Sequence, residues 1–433
     1  MMKSLKPWSL AAGVAAALAA WGPPALAAEV VIGQVAPLTG ALGTTGQQMV
    51  LGGKIYFDWV NSQGGVNGAT IRQEVVDDGY KVPDTVRQTR ALLAKPEVVA
   101  LFGFAGTANI TQLLADGVLE QGGAALVAPY TGGESLRSPF NPWIFHLRAS
   151  YGDEAEHMVQ QLTTLNMSRM AVVYQDDGFG KAGLAGVEAA LAKRNLKLVA
   201  SAGYERNSDK IEDAAQAIRG ADVQAVVMIA INKAAGAFVK RYRELGGGAQ
   251  LMSISVVDPA EIVKIAGLKN AHGVGISQVV PYPYQPRLPV VREFQQLLEK
   301  YAPKAEVNYT NFEEFLGAKV LVEGLRRAGP EPTRAKVVKA LESLRNFDLG
   351  GITVSYSPTN RVGSRYVEVT VIDARLVHGH VVVADSTRDQ HEKEQQQACP
   401  AQGCIDEHLA PNLGSFPGRS TRVTTTHEGL VAP

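Results

Sequence analysis

Cysteine is almost absent from the sequence, because only Cys399 and Cys404 occur among 433 residues and both lie near the C-terminus. The body of the chain therefore has no disulfide framework, and packing must stabilise its fold. The two cysteines are close enough for a short-loop disulfide in an oxidising compartment, but two free thiols fit the sequence equally well.

The chain also lacks an excess of either charge, since 42 basic side chains balance 42 acidic ones. Nucleic-acid binders usually carry a basic excess or a basic stripe, so we expect no nucleic-acid partner. After the N-terminal segment no apolar run approaches the length of about 20 residues that a membrane span needs. These absences argue against a polyanionic partner and against a membrane span after the N-terminal segment.

Motifs of covalent and metal chemistry are missing as well. The sequence contains no G-x-S-x-G elbow, no H-E-x-x-H pair and no cysteine nucleophile in its body. His378 and His380 form an isolated H-G-H, but no acidic or cysteine partner lies nearby at metal-ligand spacing, which favours a solvated strand end. We therefore expect no catalytic residue, no metal and no cofactor.

The first 27 residues have the three parts of a secretory signal. Lys3 and Lys6 form a basic start, an Ala-rich apolar run extends from Trp8 to Trp21, and Ala25-Leu26-Ala27 supplies a small-x-small cleavage pattern. An uncleaved anchor helix is the alternative, but the apolar run is short for a span. We predict export with removal of residues 1–27.

Short apolar runs alternate with longer amphipathic segments in the rest of the chain. The pattern predicts an α/β fold with parallel strands buried on both faces. It predicts strands at Val30–Ala36, Ile71–Asp77, Val98–Phe102, Ala124–Ala128, Met170–Tyr174, Leu196–Gly203, Ala225–Ala230, Leu251–Ser255, Ile352–Tyr356 and Tyr366–Ile372. It predicts helices at Gln47–Asn61, Thr85–Leu93, Ile110–Glu120, Gly180–Arg194, Ile211–Arg219, Ala234–Leu245, Pro289–Lys300, Phe312–Ala328 and Thr333–Leu344.

The C-terminal segment differs in character from the rest. Residues 385–433 show no apolar periodicity and include the polar run HEKEQQQ. Such a composition cannot bury enough apolar surface to fold by itself. We predict a disordered tail and assign it no function.

Several motifs, in order, resemble one family. The N-terminal part reads VVIGQVAPLTGALGTTGQQMVLGGKIYFDWVNSQGGVNG, and later stretches read VVDDGYKVPDTVRQTRALL, LFGFAGTANITQLLADGVLEQGGAALVAPYTG and VVYQDDGFGKAG. Together they resemble type 1 periplasmic substrate-binding proteins of ABC importers, in the branched-chain amino-acid binding class. The resemblance extends from about Val30 to Asp373.

The resemblance implies a fold of two Rossmann-like, doubly wound lobes joined by three crossovers, with a ligand in the cleft between them. By similarity, residues 28–147 and 280–350 form lobe one, and residues 148–279 and 351–384 form lobe two. The implied function is a periplasmic solute-binding protein that captures an amino acid or related small carboxylate and delivers it to an inner-membrane ABC permease. It implies a monomer. A secreted ligand-sensing receptor domain and a secreted hydrolase are the alternatives.

The segment from Gly178 to Gly183 has the spacing G-x-G-x-x-G, which also occurs in dinucleotide-binding turns. Asp176 and Asp177 precede the glycines, where two carboxylates would repel a pyrophosphate. In the resembling family this turn instead places an aromatic residue, here Phe179, at the cleft edge, and the acid caps the helix. We therefore favour a ligand contact by Phe179 over nucleotide binding.

Candidate ligand residues in lobe one follow predicted strands, where open α/β sheets bind ligands. The loop FGFAGTANI places Thr107 and Ala108 at a helix start that suits a carboxylate, although Thr107 could be only a helix cap. Tyr130 and Thr131 follow the next strand, in a loop whose alternative role is an ordinary turn. Thr45 stands where branched-chain binders place a tryptophan against the ligand. This difference leaves the identity of the ligand undetermined.

In lobe two the candidates are Asn232, Ser255 and Asp258. Family members that bind α-amino acids often hold the ammonium group with an acid, but direct alignment puts Ser255 at that position. Asp258 precedes Pro259 and also fits a helix cap. If no acid faces the ligand, a carboxylate or aromatic acid without an ammonium group becomes the alternative ligand.

Overall fold

The structure is a computed structural model that describes residues 28–377 and 380–385, with side chains from residue 28 to 373. The predicted signal segment, His378, both cysteines and the tail from residue 386 onward lie outside the described residues. Where the structure describes the chain, no helix is both long and apolar enough to cross a membrane.

The first lobe is built on a parallel five-stranded sheet with the order β2-β1-β3-β4-β5. Its central strand β3 is buried at every position, as expected for a parallel strand covered by helices on both faces. The strands are β1 Glu29–Ala36, β2 Thr70–Asp77, β3 Val98–Phe102, β4 Leu126–Val127 and β5 Ile144–Phe145.

The second lobe is built on a seven-stranded sheet with the order β14-β13-β10-β9-β8-β6-β7. The strands from β6 to β10 pair in parallel, whereas the two late strands add to one edge in antiparallel fashion. They are β6 Met170–Gln175, β7 Ala200–Tyr204, β8 Ala225–Ile229, β9 Gln250–Ser253, β10 Gly275–Gln278, β13 Glu368–Val377 and β14 His380–Asp385. A separate pair, β11 Phe347–Asp348 and β12 Thr353–Val354, belongs to neither sheet.

The helices cover these sheets. The described residues contain α1 Gly43–Ser62, α2 Val82–Leu93, α3 Thr107–Ala115, α4 Val118–Gly122, α5 Tyr151–Thr164, α6 Gly178–Ala192, α7 Glu212–Gly220, α8 Asn232–Glu244, α9 Pro259–Ala266, α10 Leu268–Ala271, α11 Pro289–Tyr301, α12 Tyr309–Ala328 and α13 Arg334–Glu342. The late helices α11 to α13 pack into the core of the first lobe, where Phe294 and Phe312 have ring centroids 5.1 Å apart. The chain thus returns to the first lobe after building most of the second, as the predicted crossovers require.

The third crossover, from the first lobe back to the second, comes late in the chain. Val354 and Tyr356 still belong to the core of the first lobe, and Tyr356 packs edge-on against Phe145 at 5.3 Å between centroids. The chain joins the second sheet at Glu368. The lobe boundaries at residues 147 and 279 remain predictions, whereas the boundary expected at residue 350 comes too early, because Val354 and Tyr356 pack in the first lobe.

Some predicted elements differ from the observed ones. The strand expected at Ile352–Tyr356 shrinks to the two residues of β12, because this segment pairs only with β11. Strand β7 begins at Ala200, four residues later than expected, since the preceding residues lie outside the ladder with β6. Helix α5 was not anticipated, although Ser150 and Asp153 form a reciprocal capping box at its start.

The G-x-G-x-x-G segment has a packing role in the described structure. Asp177 caps α6 by accepting hydrogen bonds from the backbone N–H groups of Phe179 and Gly180. The resemblance implied a cap by an acid of this turn without singling out Asp177. A Cβ on Gly180 would lie 1.8 Å from the backbone oxygen of Gln175, and one on Gly183 would lie 2.5 Å from the Ile229 side chain. These glycines let the helix approach the strands beneath it.

This close approach gives a first prediction. Gly180→Ala should lower the free energy of unfolding by about 3 kcal/mol or more, because the added methyl group meets rigid backbone. Gly220→Ala is the matched control, since a Cβ there has no neighbour within 4 Å. Urea unfolding measures both, and equal midpoints for the two variants would contradict the packing role.

Candidate functional site

The loops that follow strands of both sheets meet along one surface between the lobes, which we call the seam. From the first sheet it receives Tyr80, the segment 105–108 and the segment 128–131; from the second it receives the segment 175–179. The carboxyl ends of parallel strands are where open α/β sheets place their ligands. The nine residues predicted to bind ligand all lie along or beside this seam.

Thr107 and Thr131 form a hydroxyl pair in the first lobe. Their Oγ1 atoms are 2.7 Å apart, and both side chains are almost fully buried. Gly106 is the residue before α3, and no side chain caps this helix. The alternative that Thr107 is only a helix cap is therefore wrong, because its hydroxyl points to the neighbouring loop.

Two predicted residues lie where α3 meets α6. The Phe179 ring packs edge-on against Tyr151 with centroids 5.4 Å apart, and only 3% of Phe179 is exposed. Ala108 lies opposite Gly178 and borders an open groove of about 880 Å³ between α3, α5 and α6. Phe179 thus contributes an apolar wall to the seam, whereas Ala108 lies at its outer edge.

Thr45, Asn232 and Asp258 come together around a smaller cavity of about 350 Å³. Asn232 donates through Nδ2 to Thr45 Oγ1 at 3.2 Å and accepts from the Asp258 backbone N–H at 2.8 Å. One amide therefore links the start of α1 in the first lobe to the start of α9 in the second.

The carboxylate of Asp258 caps α9, as the alternative interpretation predicted. Its Oδ1 accepts from the Ala260 backbone N–H at 2.8 Å, and burial raises the pKa of Asp258 to about 6. The cap accounts for one carboxylate oxygen, and the residue still borders the cavity.

The cavity also has walls that sequence reasoning missed. Their shared feature is polarity, since hydroxyl and amide groups outnumber apolar side chains among them. The additional polar or aromatic lining residues are Thr44, Gln48, Glu261, Tyr284, Lys304, Glu306, Asn308 and Thr310. Three of them, Lys304, Glu306 and Asn308, come from the segment before α12, far along the chain from α1, and no local pattern relates the two segments.

Tyr130 lies between this cavity and a buried charge cluster. Its hydroxyl is 3.1 Å from Thr310 Oγ1, and the guanidinium of Arg148 lies over its ring at 4.6 Å from the centroid. Burial raises the pKa of Tyr130 far above its ordinary value, so the phenol is neutral. A cation facing an aromatic ring in a desolvated place is a favourable contact.

Arg148 is the most important residue that the sequence did not identify as part of the site. Its side chain is fully buried, Nη2 donates to Ser255 Oγ, and Nε lies 3.4 Å from Glu313 Oε1. Burial alone would lower the pKa of Arg148, but Glu313 and Glu154 raise it above its ordinary value. The only sequence signal is a charged residue within the apolar stretch IFHLRAS.

Ser255 stands between opposite charges. It donates through its backbone N–H to Glu154 at 2.8 Å and through its hydroxyl at 3.0 Å, while its Oγ accepts from Arg148. Burial raises the pKa of Glu154 despite the nearby Arg148. Ser255 is thus held by the protein on both sides, and Glu154, which the sequence analysis also missed, lies directly behind it.

Comparison with known proteins yields consistent matches. The family model described as Periplasmic binding protein matches residues 29–375. A Leu/Ile/Val-binding protein homolog from Brucella melitensis is 23% identical over 366 residues, which cover 84% of this chain and 95% of the relative.

Solved structures match over similar lengths. A substrate-binding periplasmic protein from Ralstonia solanacearum is 38% identical with a TM-score of 0.78, covering 82% of this chain and 100% of that one. A branched chain amino acid ABC transporter protein from Thermus thermophilus with bound valine is 18% identical with a TM-score of 0.73, covering 82% and 95%. The predicted two-lobed α/β fold is confirmed.

The charge cluster gives a prediction about pH. Burial raises the pKa of Glu313 from 4.5 to about 7, so the folded protein keeps this proton where the unfolded chain has lost it. Because the folded state binds more protons, its stability should fall as pH rises from about 4.5 to about 7, by about 3 kcal/mol from this group. Glu313→Gln cannot titrate and should make the fall in stability with pH less steep, while Glu154 and Asp258, whose pKa values burial also raises, still titrate.

Urea unfolding at several pH values measures this effect. Glu188→Gln, an exposed residue of α6, is the control for the loss of one negative charge. A Glu313→Gln variant whose stability falls with pH as steeply as that of the parent would refute the assignment.

Proposed function

The chain belongs to the periplasmic binding protein family, as the resemblance predicted, and on this premise we propose that it is the solute-binding component of an ABC import system. The observation that supports this most is the cavity of about 350 Å³ beside the seam, where hydroxyl, amide and aromatic side chains from both lobes converge. Such convergent polar groups in a concave site are typical of small-molecule binding.

The proposed ligand is an amino acid or a related small carboxylate. The Brucella relative is named for leucine, isoleucine and valine, and the Thermus structure contains valine. In this chain the start of α3, with the Thr107 hydroxyl beside it, offers backbone N–H groups and a positive helix end to a carboxylate. Phe179 would cover the ligand from the second lobe.

Ligand binding would draw the lobes together about the crossovers near Arg148, near Val280 and in the segment between Tyr356 and Glu368. A hinge closure of this kind expels water and lets both lobes contact one molecule. The closed form would be the one that an inner-membrane permease recognises. We place the protein in the periplasm, because the first 27 residues have the pattern of a cleaved signal. The resemblance implies that it acts as a monomer.

We propose binding without catalysis. The polar side chains of the seam hold one another in hydrogen bonds, as the pairs Thr107–Thr131 and Asn232–Thr45 illustrate. A hydrolase would need a nucleophile activated by a general base, and the sequence offers none of the usual motifs. Turnover of a bound acid or amide by the purified protein would contradict this proposal.

A thermal-shift screen against the standard amino acids and small aliphatic and aromatic carboxylates should identify a stabilising ligand. A compound at 100 times its dissociation constant stabilises the folded state by about 2.7 kcal/mol. Small-angle scattering with that compound should then show a smaller radius of gyration. An unchanged radius at saturation would contradict closure.

Thr107→Val should weaken binding of the compound found in the screen about tenfold to a hundredfold. The variant keeps the side-chain shape but removes a hydroxyl that would donate to a carboxylate, and hydrogen bonds to charged groups contribute about 1.5–3 kcal/mol. Thr107→Ser should bind nearly as well as the parent, because it retains the hydroxyl.

Thr163→Val is the matched control, since its hydroxyl bonds only to backbone carbonyls within α5. Titration calorimetry measures all three affinities, and circular dichroism verifies that each variant is folded. If Thr107→Val binds as tightly as Thr163→Val, the carboxylate does not lie at the start of α3.

A further inference from the structure

Arg206 crosses the seam at a place that no candidate ligand residue occupies. It follows β7 of the second lobe, yet its Nη2 donates to the Tyr80 backbone oxygen at 2.8 Å and to Asn109 Oδ1 at 2.7 Å, both in the first lobe. Its guanidinium also lies over the Tyr80 ring at 4.1 Å from the centroid. We propose that Arg206 is an interlobe latch, a positioning residue that holds the lobes closed.

The latch is anchored on its own side. Arg206 Nη1 donates to Asp177 Oδ2 at 2.9 Å, and the other oxygen of the same carboxylate caps α6. Gln175 supports this arrangement by donating to Asp177 Oδ2 at 2.8 Å. Because Asp177 accepts from the backbone N–H of Phe179, the loop that carries the latch and the aromatic wall of the seam are mechanically connected.

The receiving groups are fixed in the first lobe. Asn109 is fully buried and donates through Nδ2 to Thr85 Oγ1 at 2.7 Å, which leaves its oxygen directed toward Arg206. Thr85 in turn donates to Asp78 Oδ2 at 2.5 Å. Tyr80 has a φ of 62°, an uncommon value for a residue other than glycine, and in this conformation its carbonyl meets the guanidinium.

The ion pair of Arg206 and Asp177 differs from an ordinary surface ion pair because it is largely buried. The side chains of Arg206 and Asp177 are 19% and 9% exposed, whereas most ion pairs elsewhere in the described chain involve at least one well-exposed partner. A guanidinium with this many acceptors would lose all its first-lobe contacts at once if the lobes parted. The latch therefore favours closure independently of any ligand contact.

This inference depends on the proposed function only in assigning closure to ligand capture, and its test needs no ligand. Spin labels at Arg87→Cys on α2 and Lys181→Cys on α6 report the distance between the lobes. Both positions are well exposed, and the body of the chain contains no other cysteine. Cys399 and Cys404 are replaced by serine in the full chain.

Arg206→Ala should lower the ratio of molecules with a short distance between the spin labels to molecules with a long distance about tenfold or more. The reason is that two charge-assisted hydrogen bonds between the lobes are lost. Arg206→Lys should give an intermediate ratio, since an ammonium group lacks the planar fork of the guanidinium. Arg169→Ala is the matched control, because Arg169 pairs with Asp222 within the second lobe.

A double variant makes the test specific. If Arg206 acts through Asn109, then Arg206→Ala combined with Asn109→Ala should shift the ratio no further than the larger single effect. Equal distance distributions for Arg206→Ala and Arg169→Ala overturn the latch, including the case in which the parent shows only the long distance. A failed ligand screen with a latch-dependent distance would instead count against the proposed ligand class alone.

Discussion

The fully buried charge of Arg148 is the constraint on which the arrangement of the lobes depends. A buried guanidinium is costly unless charged and polar groups surround it. Tyr130 and Glu313 supply these groups from the first lobe, and Ser255 and Glu154 supply them from the second. Since neither lobe satisfies Arg148 alone, the two lobes must stay in contact at this point.

The position of Arg148 in the chain determines how this contact responds when the lobes rotate. Arg148 lies between β5 of the first sheet and α5 of the second lobe, where the backbone itself passes from one lobe to the other. Contacts beside a crossover change little when lobes rotate about it, whereas contacts farther from it separate. Arg206, whose bonds join loops that are distant in sequence, is the kind of contact that rotation can break.

The sequence was informative where interactions are local. The alternation of apolar runs predicted most strands of both sheets, although not β5, β10 and β14, and the cap by Asp258 followed from the residue types at a helix start. It could not reveal the Arg148–Ser255 contact, because 107 residues separate the partners and neither shows a periodic pattern. The missed helix α5 is different, since its capping box was present in the sequence and went unused.

The G-x-G-x-x-G spacing occurs in proteins of different function because they share one steric requirement, the close approach of a helix to a strand. A helix that starts directly after a buried strand must approach that strand's backbone, and only glycine leaves room at Gly180. In dinucleotide-binding proteins the freed helix end receives a pyrophosphate. Here the Asp177 carboxylate already occupies the Phe179 and Gly180 N–H groups and also holds Arg206. Because the Asp177 carboxylate stands where a phosphate would bind, the turn cannot bind a phosphate in the same way. It instead stabilises the loops of the seam.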